Sequence, residues 1–311
     1  LHLRLRAAPA RAEAPPGEGP GERVEPGERP GVDPVSGGEP LQEPGARIGP
    51  AVEEGHGGAP IMLDEGVLEA AGEPVESAYA LHITTQQPSG VVAVRPGPAM
   101  ASSDTVHNTV TGRGGHASKP SAGLDPIPVA AAIVQAIQVM VTREVSVFDP
   151  AVVTIAKITA GTTDNVIPER AEMLGTMRTL SEETRAAVRE KLHRVATSVA
   201  AGYGASAEVR IQEGYPVTVN ADSAVDLVHS TALALVGPDR AQLAKDPIMG
   251  AEDFSYVLQR VPGAMTWLGA CPPGQDPQTA PSNHSNRVVF DEDAMAVGVA
   301  THVATALAAL D

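Results

Sequence analysis

The sequence has a single cysteine, Cys271, among its 311 residues. No disulfide framework can form within such a chain, and a reducing, cytoplasmic compartment is expected. Positive charge is scarce as well: 22 Lys and Arg face 38 Asp and Glu, a net charge of −16. That balance argues against nucleic acid and anionic membranes as partners. No apolar run approaches the ~20 residues of a membrane span. The start, Leu1 to Arg6, is too short and too charged for the apolar region of a signal peptide. A first residue other than methionine suggests a fragment. What is present suffices for a core: 42% of residues are hydrophobic and 19% charged. The length suits one large domain or two ordinary ones.

Composition changes abruptly near residue 50. Residues 1–50 hold 10 Pro and 9 Gly, and no Phe, Trp, Tyr, Met, Cys or Lys. Such a segment cannot bury enough apolar surface to offset the entropy of ordering it, so it is expected to be disordered. A Pro/Gly-rich linker and a mis-framed translation of GC-rich DNA are the alternatives.

Residues 104–212 carry the clearest pattern. Thr105 to Thr111 alternates, with Val106 and Val110 on one face. A turn rich in glycine follows at 112–115. Asp125-Pro126 is an N-cap and first helical position, and Val129, Ile133, Ile137, Met140 and Val141 recur at helical spacing. Val152 to Ile158 is a β-branched run. Ala171, Met173, Gly175 and Met177 alternate with polar neighbours. Ser181, Glu182 and Glu183 open a second helix with negative charge in its first turn. Its apolar stripe is Val188, Leu192, Val195 and Val199, and Gly202 and Gly204 end it. Ala207, Val209 and Ile211 alternate again. The order β-α-β-β-α-β is ferredoxin-like.

The flanks, 51–103 and 213–311, mix short strands and helices. Met62 to Glu69, Asp222 to Val236 and Asp291 to Leu310 read as helices. Ala78 to Ile83, Gly90 to Arg95 and Ala264 to Leu268 read as strands. The fold class is therefore α/β: a discontinuous lobe, split in sequence and joined in space, with the ferredoxin-like lobe inserted.

Four clusters could carry chemistry. Glu53-Glu54-Gly55-His56 sets two carboxylates before a glycine turn, where one can bind a metal while the other accepts a proton from water; a solvated acidic loop is the alternative. His82 adjoins a strand, His116 sits on the glycine turn, and His284 lies in a polar loop before the last helix. Each alone reads more simply as structural. Together, carboxylate and imidazoles make a zinc-type donor set, although their wide spacing cannot prove that they converge. No HExxH helix, CxxC pair, GxSxG elbow or Walker loop occurs. His2, His56, His107, His193, His229, His302 and Cys271 are taken as surface or structural.

At these clusters the chain resembles the aminoacylase/carboxypeptidase family of zinc amidohydrolases, family 20 of the metallopeptidases. The likeness is greatest to its hippurate-hydrolase and N-acyl-amino-acid amidohydrolase branch. The matching stretches are Glu-Glu-Gly-His-Gly-Gly-Ala at 53–59, Ala-Leu-His at 80–82 and Val-Arg-Pro-Gly-Pro-Ala-Met-Ala at 94–101. Gly-Gly-His-Ala at 114–117, Ala-Gly-Thr-Thr-Asp-Asn-Val-Ile-Pro at 160–168 and Gly-Thr-Met-Arg at 175–178 follow. Gly-Ala-Glu-Asp-Phe-Ser at 250–255 and Asn-His-Ser at 283–285 complete the set. They occur in the family's order over about 51–311.

The resemblance implies a catalytic lobe from 51–103 plus 213–311 and a lid and dimerisation lobe at 104–212. It implies hydrolysis of the amide bond of N-acyl amino acids or similar small conjugates by metal-activated water, in a homodimer formed through the lid. Glu53 would be the general base. Glu54, His82 and His284 would hold zinc, or manganese or cobalt, in what is a two-metal site in the family. His116 would steady the scissile carbonyl, Asn165 would lie near the substrate, and Glu252 and Asp253 would support the metal site. The charge balance, apart from the resemblance, implies that an acidic chain needs local cations, such as Arg178 or Arg113, to hold an anionic substrate. Family members also carry a longer upstream segment with a Cys-Gly-His-Asp or His-x-Asp motif that supplies further metal ligands. Nothing in residues 1–52 resembles it, so the chain is expected to be incomplete at its N-terminus and the two-metal site with it. The alternative is an inactive fragment that keeps the lid as a dimerisation module.

Overall fold

The computed structural model describes residues 57–310. The 1–50 stretch, Glu53, Glu54 and His56 lie outside the described residues. Helix α1 (Gly58–Asp64) comes first, then strands β1 (Ala78–Pro88), β2 (Val92–Val94) and β3 (Gly97–Met100). Strands β4 (Asp104–Thr111) and β5 (Gly115–His116) precede helix α2 (Pro126–Glu144). Strands β6 (Ala151–Ala160), β7 (Val166–Ile167) and β8 (Arg170–Thr179) lead to helix α3 (Glu182–Gly202) and β9 (Ser206–Glu213). The chain goes on through β10 (Thr218–Asn220), α4 (Asp222–Val236), β11 (Ala241–Leu243), α5 (Phe254–Leu258), β12 (Gly263–Cys271) and α6 (Ala294–Ala309). The result is a mixed α/β fold.

Two four-stranded sheets organise it. The first has the order β1-β12-β2-β11. β1 runs parallel to β12 and β2 parallel to β11, while β12 and β2 are antiparallel. All nine residues of β12 are buried, as befits a strand covered on both faces. Among the described residues β1 has a strand partner on one side only. α6 packs on this sheet with Ala294 and Gly298 inward, and turns Met295, Val299, Val303 and Leu307 to solvent, each more than half exposed.

The second sheet is antiparallel throughout, in the order β6-β8-β4-β9. One face packs on α2 and α3 and forms the largest apolar cluster. Val106, Val110, Met173 and Met177 meet Ile133, Ile137, Met140, Val188 and Leu192 there. Local chemistry sets the helix ends: Asp125 accepts a hydrogen bond from the Ile127 amide at 3.0 Å, and Ser181 from Thr184 at 3.0 Å, satisfying amides that have no partner within the helix.

Asp104 begins β4 and is buried, its side chain wholly so. Its Oδ1 accepts from Arg185 Nη2 at 2.7 Å, Arg189 Nη2 at 3.0 Å and the Gly214 amide at 3.1 Å. Arg185 also donates to the Gly214 carbonyl at 3.0 Å, and Glu182 accepts the Val217 amide at 3.0 Å. One buried carboxylate thus ties α3 to both chain crossings between the two sheets. Burial pushes the Asp104 carboxyl up, but hydrogen bonds from Arg185, Gly214 and Arg189, with the Arg185 charge, outweigh it and hold the group below the ordinary range. Burial likewise acts to lower the Arg185 guanidinium, and Asp104 more than offsets it. At the same crossing a side chain on Gly214 would place its Cβ 2.1 Å from the Ser103 carbonyl oxygen. Gly214→Ala is expected to cost about 3 kcal/mol through backbone displacement, read as a lower urea midpoint.

The structure corrects several expectations. The helix expected at Met62–Glu69 is instead α1 at 58–64 followed by a separate 3-10 turn at Val67–Glu69. It starts earlier because Asp253 accepts the Ala59 amide, and it breaks at Gly66, whose φ is 80°. β1 and β12 each run longer than their apolar cores, and α6 begins three residues after Asp291. The glycine turn holding His116 is a two-residue ladder with β7. By length and composition α2 is also apolar enough to cross a membrane, contrary to the expectation of no such run. Its Val129, Ala130, Ile133, Ile137 and Met140 are buried against the second sheet.

Candidate functional site

His82 lies near the middle of β1, opposite Trp267 of β12. Its Nδ1 is 2.7 Å from the Ile83 carbonyl oxygen. A carbonyl can only accept, so Nδ1 carries a proton, which leaves Nε2 as the ring nitrogen that can turn to a metal. Asn283 donates from Nδ2 to the same carbonyl at 2.5 Å and stands 3.5 Å from the His82 ring. The loop bearing His284 is thereby fixed beside His82, 202 residues away in sequence. Thr85, buried, donates to the Pro281 carbonyl at 2.7 Å and pins the same loop. Asn283 stood within a quoted motif without a role, and nothing in the sequence pointed to Thr85.

His284 opens onto a cavity of about 430 Å³ shared with Ser103, Thr105, Arg178, Gln212, Gly214 and Gly250 among others. Arg178 is half-buried, and burial pulls its guanidinium below the ordinary value. Among the described residues its side chain makes no ion pair and no hydrogen bond. A half-desolvated cation without a counter-charge is costly unless an anion joins it. Arg113, the other candidate cation, is not on this cavity. Its side chain reaches the Ala122 and Gly123 carbonyls at 3.4 and 3.5 Å.

His116 and Asn165 come together elsewhere. His116 pairs with Val166 in the β5–β7 ladder, and the Ala117 amide donates to the Asn165 carbonyl at 3.0 Å. His116 is exposed, and its Nδ1 accepts from the Ser118 amide at 3.1 Å, with Ser118 Oγ at 2.7 Å. An N–H can only donate, so the imidazole proton sits on Nε2. Neither His116 nor Asn165 lines the cavity of His284 and Arg178. Asp253 is buried, and its Oδ2 holds the Ala59 amide at 2.8 Å, at the start of α1. Glu252 is also buried.

The donor chemistry suits zinc, manganese or cobalt in kind: two imidazoles, one with its tautomer set by a carbonyl as metal-ligating histidines commonly are. Among the described residues no three His, Cys, Asp or Glu side chains gather as a metal site. Glu53 and Glu54, the carboxylates assigned to it, lie outside the described residues.

The model of peptidase family M20/M25/M40 matches residues 48–308. The chain is 36% identical over 260 residues to thermostable carboxypeptidase 2 of Saccharolobus solfataricus, which takes in 83% of this chain and 64% of that protein. It is 38% identical over 217 residues to N-acetylcysteine deacetylase of Bacillus subtilis, 70% of this chain and 55% of that one. Among solved structures, the Bacillus subtilis YXEP protein is described as a dinuclear metal binding peptidase from the M20 family. It matches with a TM-score of 0.66 at 31% identity, covering 83% of this chain and 62% of its own. The chain thus spans less than two thirds of the length of each of these relatives.

Proposed function

The chain belongs to peptidase family M20/M25/M40, and we propose that it hydrolyses the amide bond of N-acyl amino acids or similar small conjugates. Relatives named as a carboxypeptidase and an N-acetylcysteine deacetylase support amide hydrolysis in general. The observation that narrows it is Arg178, a half-buried guanidinium that lines the same cavity as His284 and, among the described residues, forms no ion pair, the Glu213 carboxylate of that lining being held by Arg189. An N-acyl amino acid has one free carboxylate close to its amide bond, and Arg178 would take that carboxylate bidentately.

His82, His284 and Glu54 would hold the metal: zinc, or manganese or cobalt. Bound there, it would acidify a water and polarise the carbonyl. Glu53 would take the proton from the attacking water and return it to the leaving amine. His116 would donate from Nε2–H to the carbonyl oxygen as charge builds on it, and Asn165 would lie beside the substrate. Residues 104–212 would act as a ferredoxin-like lid inserted in a catalytic lobe of 51–103 plus 213–311. A homodimer through this lid is supported by the open side of β6 and by exposed Val152, Ile158 and, on α2, Val139. The single cysteine is buried, which fits a cytoplasmic setting.

The test is hydrolysis of a panel of N-acyl amino acids with added Zn²⁺, Mn²⁺ or Co²⁺, alongside elemental analysis of metal per folded chain. Turnover that a chelator abolishes, with metal retained after dialysis and lost in His82→Ala and His284→Ala, is the expected result. A folded chain that retains no metal and turns over nothing would leave the inactive fragment as the reading.

A further inference from the structure

The face of the second sheet turned away from α2 and α3 carries its charges in rows. Strand register sets His107 opposite Arg210 on one side and Leu174 on the other, with Lys157 beyond Leu174. Two residues along, Thr109 stands between Glu208 and Glu172. A basic row thus runs beside an acidic row, separated by about 7 Å of strand. Together they floor a cavity of about 370 Å³, none of whose lining residues belongs to the cavity of His284 and Arg178.

A strand bulge and an orphaned buried nitrogen mark this floor as more than a solvated face. The register of β6 shifts between Ile155 and Lys157, so Ala156 is an extra residue. Side chains alternate along a strand, and without the bulge Lys157 would turn to the face that α2 and α3 cover; bulges commonly re-aim a side chain in this way. Lys157, Glu172, Glu208 and Arg210 are exposed and, among the described residues, form no ion pair, so all four remain available to a ligand. The Nε2 atom of His107, in the basic row, is buried without a hydrogen-bond partner.

Two cations and two carboxylates cancel, so the cavity favours neither a simple anion nor a simple cation. It matches a ligand that carries both charges at the row separation. An extended dipeptide spans about 7 Å at roughly 3.5 Å per residue, and a volume near 370 Å³ is of the size that holds small ligands. We propose that this face is a binding site for a short zwitterionic peptide. Its carboxylate lies over the basic row between Arg210 and Lys157, which reach in from the two edge strands about 14 Å apart, and its ammonium lies over the acidic row between Glu172 and Glu208.

The test is calorimetric titration of the full chain with Ala-Ala at low ionic strength and neutral pH. N-acetyl-Ala-Ala, which lacks the ammonium, and Ala-Ala-amide, which lacks the carboxylate, serve as controls. Saturable binding of Ala-Ala is expected, weakened about tenfold or more by either block and by the paired variants Lys157→Ala/Arg210→Ala and Glu172→Ala/Glu208→Ala. The His107 ring resonances of the unsubstituted protein should shift with the same saturation curve, a readout that does not depend on any variant folding. The proposal is overturned by an absence of saturable binding, by equal binding of the blocked peptides, by unmoved His107 resonances, or by binding that Arg178→Ala abolishes and the paired variants leave unchanged.

Discussion

Replacing Arg178 with alanine is expected to raise the KM for an N-acyl amino acid about 100-fold, because truncating one partner of a desolvated charge pair costs about 2–5 kcal/mol. The effect should fall on KM far more than on kcat. The carboxylate is bound equally in the ground and transition states, and loss of such uniform binding leaves kcat in place. Arg178→Lys should recover only part of the loss, since an ammonium cannot make the bidentate contact. Esterifying the substrate carboxylate should weaken the wild type and leave Arg178→Ala nearly unaffected. Steady-state kinetics on this pair of enzymes and pair of substrates checks the argument. An equal penalty for the ester in both enzymes would remove Arg178 from carboxylate recognition.

Asp104→Ala is expected to destabilise the fold by about 3–5 kcal/mol, since it strands a buried arginine without its carboxylate. Arg185 is 4% exposed, so water cannot replace what Asp104 supplies. Asp104→Leu combined with Arg185→Met should recover only part of the loss, because it removes the stranded guanidinium but leaves Arg189 and the Gly214 amide without their acceptor. Urea unfolding of these two variants against the unsubstituted protein measures this. The pH dependence has a definite sign. The Asp104 carboxyl is held below the ordinary carboxylate value in the fold, so its contribution is complete above that ordinary value and is lost as pH falls below it. In Asp104→Asn that part of the acid destabilisation should be missing.

The parts of the fold legible in the sequence are those where local signals agree. Asp125-Pro126 opens α2 where the apolar positions Val129, Ile133 and Ile137 also begin, and all three are buried. Ala171, Met173, Gly175 and Met177 face the core of β8 as their alternation implies. The missed elements depend on distant partners. β3 and β10 pair across more than 110 residues and include Gly97 and Pro98, residues that give no strand signal. β1 continues through Thr84 and the glutamines because β12 lies beside it. In the candidate site, motif order and not spacing marks His82 and His284. It is Asn283, reaching the Ile83 carbonyl, that places their segments together. Alternation puts Arg178 on the open face of β8, but only the arrangement of the crossing at 213–215 and the loops at 250–251 and 284 makes that face a cavity.

The side of β1 without a strand partner among the described residues and the solvent-facing stripe of α6 bear on how the molecules behave in a crowd. A strand of eleven residues with one row of amides and carbonyls unmatched by a neighbouring strand among the described residues is a template for another strand. Met295, Val299, Val303 and Leu307 add an adhesive band on the same lobe. What keeps copies apart is the net charge of −16, a repulsion that salt screens within about 10 Å at 0.1 M. Light scattering should therefore show the protein dispersed in dilute buffer and associating as added electrolyte screens that charge.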